Sequence, residues 1–207
     1  GVELIMNGGF EENNGLFAEG WSDDSEWAPV KVEYKIDTQD AFGGKAAQRI
    51  ACTEYEGGSV QMMQSGLRIG MHKAYTVSFS AKGNVPIEVV VRQGAEPYAY
   101  FITKSFSLER EWKTFSFQGI SPFSDREARL VFIFNEVGEI FLDNISVKQI
   151  TSSERKDFYF QVSPPLERIP DLYFGLHVHY ASSKSPLPPQ TPWPFAKFSL
   201  WRLWDAH

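Results

Sequence analysis

The first 150 residues of this chain alternate apolar with polar positions. In AYTVSFSAKG, Tyr75, Val77, Phe79 and Ala81 fall on one side and Thr76, Ser78, Ser80 and Lys82 on the other, the period of two expected of a half-buried strand. PIEVVVRQG sets Ile87, Val89 and Val91 against Glu88, Val90 and Arg92, and WKTFSFQGI sets Phe115 and Phe117 against Thr114 and Ser116. RLVFIFN and EIFLDNISVKQI are again strand-like, with a turn near Val137-Gly138. Gly, Pro, Asn and Asp clusters punctuate these runs at short intervals, and no long amphipathic helix is legible before residue 150. The pattern predicts an all-β, antiparallel sandwich over residues 1–150.

The character then changes. A polar stretch, TSSERKD, follows Ile150, and the proline-rich VSPPLERIP reads as a linker, giving a boundary segment at 151–169. Beyond it, in 170–207, YFGLHVHY and FSLWRLWDAH read as two buried strands around a loop rich in Pro and Ser, the opening of a β/α barrel. Two strands cannot close a barrel. Trp193, Trp201, Trp204, Phe174, Phe195 and Phe198 would leave apolar surface and strand edges bare unless something covers them. The expected covers are the sandwich itself, another copy of the chain, or a polypeptide carrying the remainder of a catalytic barrel.

Composition narrows the partners. Over 207 residues the chain is 43% hydrophobic and 15% aromatic, enough for a substantial core. Seventeen Phe and six Trp exceed what such a core needs, so some rings are expected on the surface as contacts. A formal net charge of −6 gives no basic footprint, so no nucleic acid is expected, and no apolar run reaches membrane-spanning length. The single cysteine, Cys52, excludes an internal disulfide and reads as a small buried hydrophobe. His177 and His179 alternate in a strand with no third ligand at useful spacing for zinc. No leader is legible ahead of Gly1, which reads as the start of a trimmed chain.

Several pieces in order resemble the carbohydrate-binding modules of the family 4/9/22 type: LIMNGGFEENN, the pair Gly20-Trp21, GGKAAQRI, GGSVQMMQSGLRIGMHKAYTVSFSAKG, EWKTFSFQG and GEIFLDNISV. The resemblance covers nearly all of residues 1–150 and implies a jelly-roll sandwich that holds a β-linked polysaccharide or oligosaccharide in a groove. Rings stack on the apolar faces of sugars while amides, carboxylates and guanidinium groups meet the hydroxyls. The candidates, on outward positions of the inner strands, are Gln61, Met63, Arg92, Tyr98, Tyr100 and Asn135. Tyr55 or the Gly57-Gly58 turn stands where members often carry a stacking Trp, and Trp27 in SDDSEW is an alternative platform. Core packing is the competing fate of each ring, and a solvated surface charge that of Arg92.

The same resemblance implies one structural calcium between the N-terminal segment and the last strand. Glu11 and Asp143 match its carboxylates, and Gly9 and Lys45 match positions that give backbone carbonyls. Asp143 in an apolar strand is costly to bury without a cation or hydrogen-bond donors, and backbone N–H groups are the other way to meet that need.

FGLHVH and WRLWD resemble the first two strands of the clan of retaining glycoside hydrolases that includes family 39, with Arg202 at the position that helps orient the nucleophile. That clan takes its two catalytic Glu residues from later strands, and retaining chemistry needs both, roughly 5–5.5 Å apart. No residue here is assigned as acid or nucleophile. The reading is therefore a non-catalytic module that binds a β-glycan and targets a secreted or periplasmic/extracellular glycoside hydrolase to plant or microbial polysaccharide. Two rivals stand beside it: the N-terminal fragment of an active retaining glycosidase, and a sandwich that contacts protein.

Overall fold

The computed structural model describes residues 1–151. These form ten strands and no helix: β1 (Ser22–Asp23), β2 (Val30–Asp37), β3 (Ala47–Tyr55), β4 (Val60–Ile69), β5 (Ala74–Gly83), β6 (Ile87–Arg92), β7 (Tyr100–Phe106), β8 (Lys113–Ile120), β9 (Asp125–Phe134) and β10 (Gly138–Gln149). They make two five-stranded sheets, β1-β4-β9-β6-β7 and β2-β3-β10-β5-β8, with every neighbouring pair antiparallel. The all-β sandwich expected from the alternation is what the described residues adopt. The linker beyond Thr151, both barrel-like strands, His177, His179 and Arg202 lie outside the described residues.

The inner faces follow the period of two. Tyr75, Val77, Phe79 and Ala81 of β5 are buried, as are Ile87, Val89 and Val91 of β6. The Phe79 ring sits among those of Phe106, Phe115 and Phe132, each with its centroid 5.3 Å away. Trp21 is 5% exposed and packs on Phe10, so it is core. Cys52 is likewise buried. Among the described residues Phe10, Phe79, Phe101, Phe117, Phe132 and Phe134 are buried, while Phe42 and Phe123 are exposed.

Three expectations shift. β9 starts at Asp125, four residues before RLVFIFN, because Ala128 continues its inward row while Arg126 and Glu127 hide the period. Asn135 lies past the end of β9, in the turn to β10. Tyr98 is not on a strand: its N–H donates to the Ala95 carbonyl (2.9 Å) in a turn that holds Tyr98 at φ 55°. A proline at 97 cannot donate to a ladder, so the strand starts only at Tyr100, on edge strand β7.

The N-terminal segment straps the sandwich. Leu4 donates to the Val147 carbonyl (2.9 Å), and the Gln64 side chain pairs with both backbone groups of Met6, each at 2.8 Å. That strap carries Glu11 to the loop that follows β2, and the pairing of β1 with β4 carries Asp24 to the outward face of the first sheet.

Candidate functional site

Register defines the outward face of β1-β4-β9-β6-β7. Gln61, Ile133 and Glu88 form one row across the strands, Met63, Val131 and Val90 the next, and Arg129 and Arg92 the one after. The middle row with Ile133 makes a small apolar cluster separate from the main core, with Val90, Val131 and Ile133 all buried.

Arg92 and Gln61 begin at opposite sides of that row and meet beyond it. Arg92 Nη2 donates to Gln61 Oε1 at 3.0 Å and to Asp24 Oδ2 at 2.9 Å, so its alkyl stem runs over the apolar row. Arg129 Nη1 reaches the same Asp24 oxygen at 3.5 Å. The Tyr98 ring faces both guanidinium carbons, 5.5 Å from Arg92 Cζ and 5.6 Å from Arg129 Cζ. With Gln61 6% and Arg92 9% exposed, these two are floor rather than fringe, and Arg92 is not a solvated surface charge.

The rings stand higher. Tyr98 is 40% and Tyr100 45% exposed, and Tyr100 pairs with Arg92 in the β6–β7 ladder, which puts it on the same face. Trp27 is 63% exposed. Its indole N–H donates to the Asp24 carbonyl at 2.9 Å, and Asp24 in turn donates its N–H to the Gln61 carbonyl at 2.8 Å. The ring lies against the Gly57-Gly58 turn, where a Cβ on Gly58 would sit 3.1 Å from the indole. Gly58 has φ 74°, so both its conformation and its closeness to Trp27 call for glycine. Tyr55 packs against the core and donates its hydroxyl to the Gly58 carbonyl (2.9 Å), so it braces the turn beside Trp27.

The structure thus brings Gln61, Arg92 and Tyr98 together, with Tyr100 beside them and Trp27 joined through Asp24. Asn135 is exposed in its turn, without a side-chain hydrogen bond among the described residues. Two members of the cluster, Asp24 and Arg129, were not anticipated. Arg129 was legible by parity, since 129, 131 and 133 share a face, but the apolar run masked it. Asp24 shows only as one acid in a loop of several.

The second expected site gathers around the loop before β3. Glu11 Oε1 accepts from the N–H groups of Lys45 (2.7 Å) and Ala46 (3.3 Å). Asp143, fully buried, accepts from Gly43 (2.8 Å) and Asn144 (2.6 Å). Burial pushes its carboxyl above the usual range, and the charge of Glu11 adds to this while the backbone donors oppose it. Among the described residues no three His, Cys, Asp or Glu side chains converge as a metal cluster.

A two-sheet sandwich carrying rings, guanidinium groups and amides on one outward face has the make-up of a sugar-binding module. Residues 2–137 match the model of the family CBM_4_9, carbohydrate binding domain, and the chain belongs to that family. No curated protein matches it. Among solved structures, one described as "CBM4 structure and function" is 22% identical with a TM-score of 0.57, covering 70% of this chain and 99% of that one. The xylan-binding domain CBM22-1 of Paenibacillus barcinonensis Xyn10C is 13% identical with a TM-score of 0.54, covering 73% and 97%. The N-terminal cellulose-binding domain of Cellulomonas fimi β-1,4-glucanase C is 18% identical with a TM-score of 0.52, covering 73% and 99%. These likenesses show the fold.

Proposed function

We propose that the chain captures a single β-linked glycan on the outward face of β1-β4-β9-β6-β7 and delivers a secreted glycoside hydrolase to its polysaccharide. Family membership supports carbohydrate binding, and neighbours described as xylan-binding and cellulose-binding favour a β-linked polymer. The observation that carries the reading is the shared frame of the face. Asp24 holds the Trp27 ring through its carbonyl and Arg92 through its carboxylate, so an exposed ring and a polar floor are fixed relative to each other. Gln61 and the rings of Tyr98 and Tyr100 complete the contacts, with Asn135 at the margin. The Gln61 row and the Arg92–Tyr100 pair are offset by four residues of strand, about 13 Å. Binding is non-covalent and acts by raising the local concentration of whatever enzyme the module is joined to.

A structural calcium belongs to the same proposal. Glu11 and Asp143 turn carboxylates toward one loop, and the carbonyls of Gly9 and Lys45 accept no hydrogen bond among the described residues. Two carboxylates and two carbonyls suit a hard cation that takes oxygen ligands. When bound, the ion would offset the cost of the buried Asp143 charge and pin the N-terminal strap to β10.

Affinity electrophoresis of the whole chain through gels containing β-glucan, xylan, mannan or no polysaccharide tests the reading. Selective retardation in one gel is expected. Equal mobility in all four, with the protein folded by circular dichroism, overturns it.

A further inference from the structure

Two guanidinium groups of the floor lean on a single ion-pair partner. Arg92 and Arg129 are direct register partners across β6 and β9, an arrangement that repels. Between them they share one counter-charge, Asp24 Oδ2. The neighbouring acids make no ion pair with either arginine: Glu88 accepts from Thr103 Oγ1 at 2.9 Å, and Asp23 accepts the Tyr34 hydroxyl. Both arginine Nε atoms are buried without a partner, so the pair is left under-satisfied by the protein itself. Side-chain exposure is 11% for Arg92 and 22% for Arg129.

A neutral glycan does not need this. Its hydroxyls are met by amides such as Gln61 or by one guanidinium, and a second buried cation then adds only repulsion and desolvation cost. A carboxylate reverses the balance. It supplies a second ion-pair partner, and its two oxygens match the planar forks of guanidinium groups.

Resting on the glycan-binding reading above, we propose that the ligand is an acidic glycan, a β-linked chain bearing a uronosyl carboxylate, with that carboxylate seated at Arg92 and Arg129 under Tyr98. The sugars on either side stack on the exposed rings, and Asp24 positions the two arginines without touching the ligand charge.

The test is a matched pair of polysaccharides: a glucuronic-acid-bearing β-xylan and the same polymer after its carboxyl groups are reduced to alcohols. Affinity of the whole chain for each is measured by isothermal titration at low salt and at 0.5 M NaCl. The expected result is at least tenfold preference for the acidic polymer at low salt, shrinking at high salt. In Arg129→Gln, and separately in Arg129→Lys, the acidic-to-neutral ratio falls towards one, with thermal melts showing that each variant is folded. If a variant fails to fold, the salt dependence of the wild type decides alone. Equal affinity for both polymers overturns the acidic-ligand proposal and leaves the glycan-binding reading standing. Binding to neither polymer, nor to any of the gels above, overturns both.

Discussion

Trp27 and Asp24 are joined by an indole N–H to carbonyl bond of 2.9 Å, and the same aspartate holds Arg92 at 2.9 Å through its side chain. One residue of an edge loop therefore sets both the ring and the charged floor of the face.

Removing the ring should cost binding and little else. Trp27 is largely exposed, so Trp27→Ala is expected to weaken glycan affinity tenfold or more, about 1.4 kcal/mol, with nearly unchanged melting temperature. Tyr98→Ala and Tyr100→Ala are expected to do the same. Gel retardation and a thermal melt on each variant check this, and unchanged retardation in all three removes these rings from the site.

Asp24→Ala should act on stability as well. It leaves the buried Arg92 guanidinium with Gln61 as its hydrogen-bond partner, and Arg129 with the Tyr98 ring but no side-chain hydrogen bond among the described residues. The expected loss is about 2 kcal/mol, discounted for the solvent that still reaches Asp24, or roughly 4–8 °C in melting temperature. Asp24→Asn, which keeps an acceptor, should lose less.

Calcium should stabilise the fold through Glu11 and Asp143. At an ion concentration 100-fold above its dissociation constant the gain is about 2.7 kcal/mol. Melting temperature is expected to rise with CaCl2, to fall back with EDTA, and to be indifferent to both in Asp143→Asn. Gly44→Ala should weaken the same site, because its Cβ would fall 2.0 Å from Glu11 Oε1 at a backbone φ of 64°. A wild type indifferent to calcium would contradict the assignment.

Alkaline pH should destabilise the protein through Tyr34. Burial first, and then the hydrogen bond and charge of Asp23, hold its phenol far above the ordinary value of about 10. Above that pH the unfolded chain releases a proton that the folded chain keeps, so stability is lost as pH rises. Tyr34→Phe should lose about 1 kcal/mol at neutral pH and then decline less steeply between about pH 9 and 11. Melts across that range distinguish the two slopes.

The sandwich was legible because its strands are half-buried and each inner residue announces itself by parity, as Tyr75 to Ala81 do. Outward strand positions singled out Gln61 and Arg92, and the same parity would have added Arg129 beside Val131. Asp24 was not legible, because its role depends on β1 pairing with β4, a contact between Ser22–Asp23 and Met62–Met63 that no local pattern encodes. Tyr98 read as an outward position at a loop edge marked by Pro97, and it stands exposed in the turn from Ala95. Gly58 was not legible as a neighbour of Trp27: a Cβ there would fall 3.1 Å from the indole, while Tyr55 donates its hydroxyl to the Gly58 carbonyl.

The most direct test of the central claim is isothermal titration of the whole chain with a β-linked oligosaccharide from the class that retards it, beside the double variant Trp27→Ala/Tyr98→Ala. Saturable one-site binding by the wild type, weakened about a hundredfold or more in the folded double variant, is the predicted result. Equal affinity in both proteins would contradict the account, because the sugar would then be held somewhere other than this face.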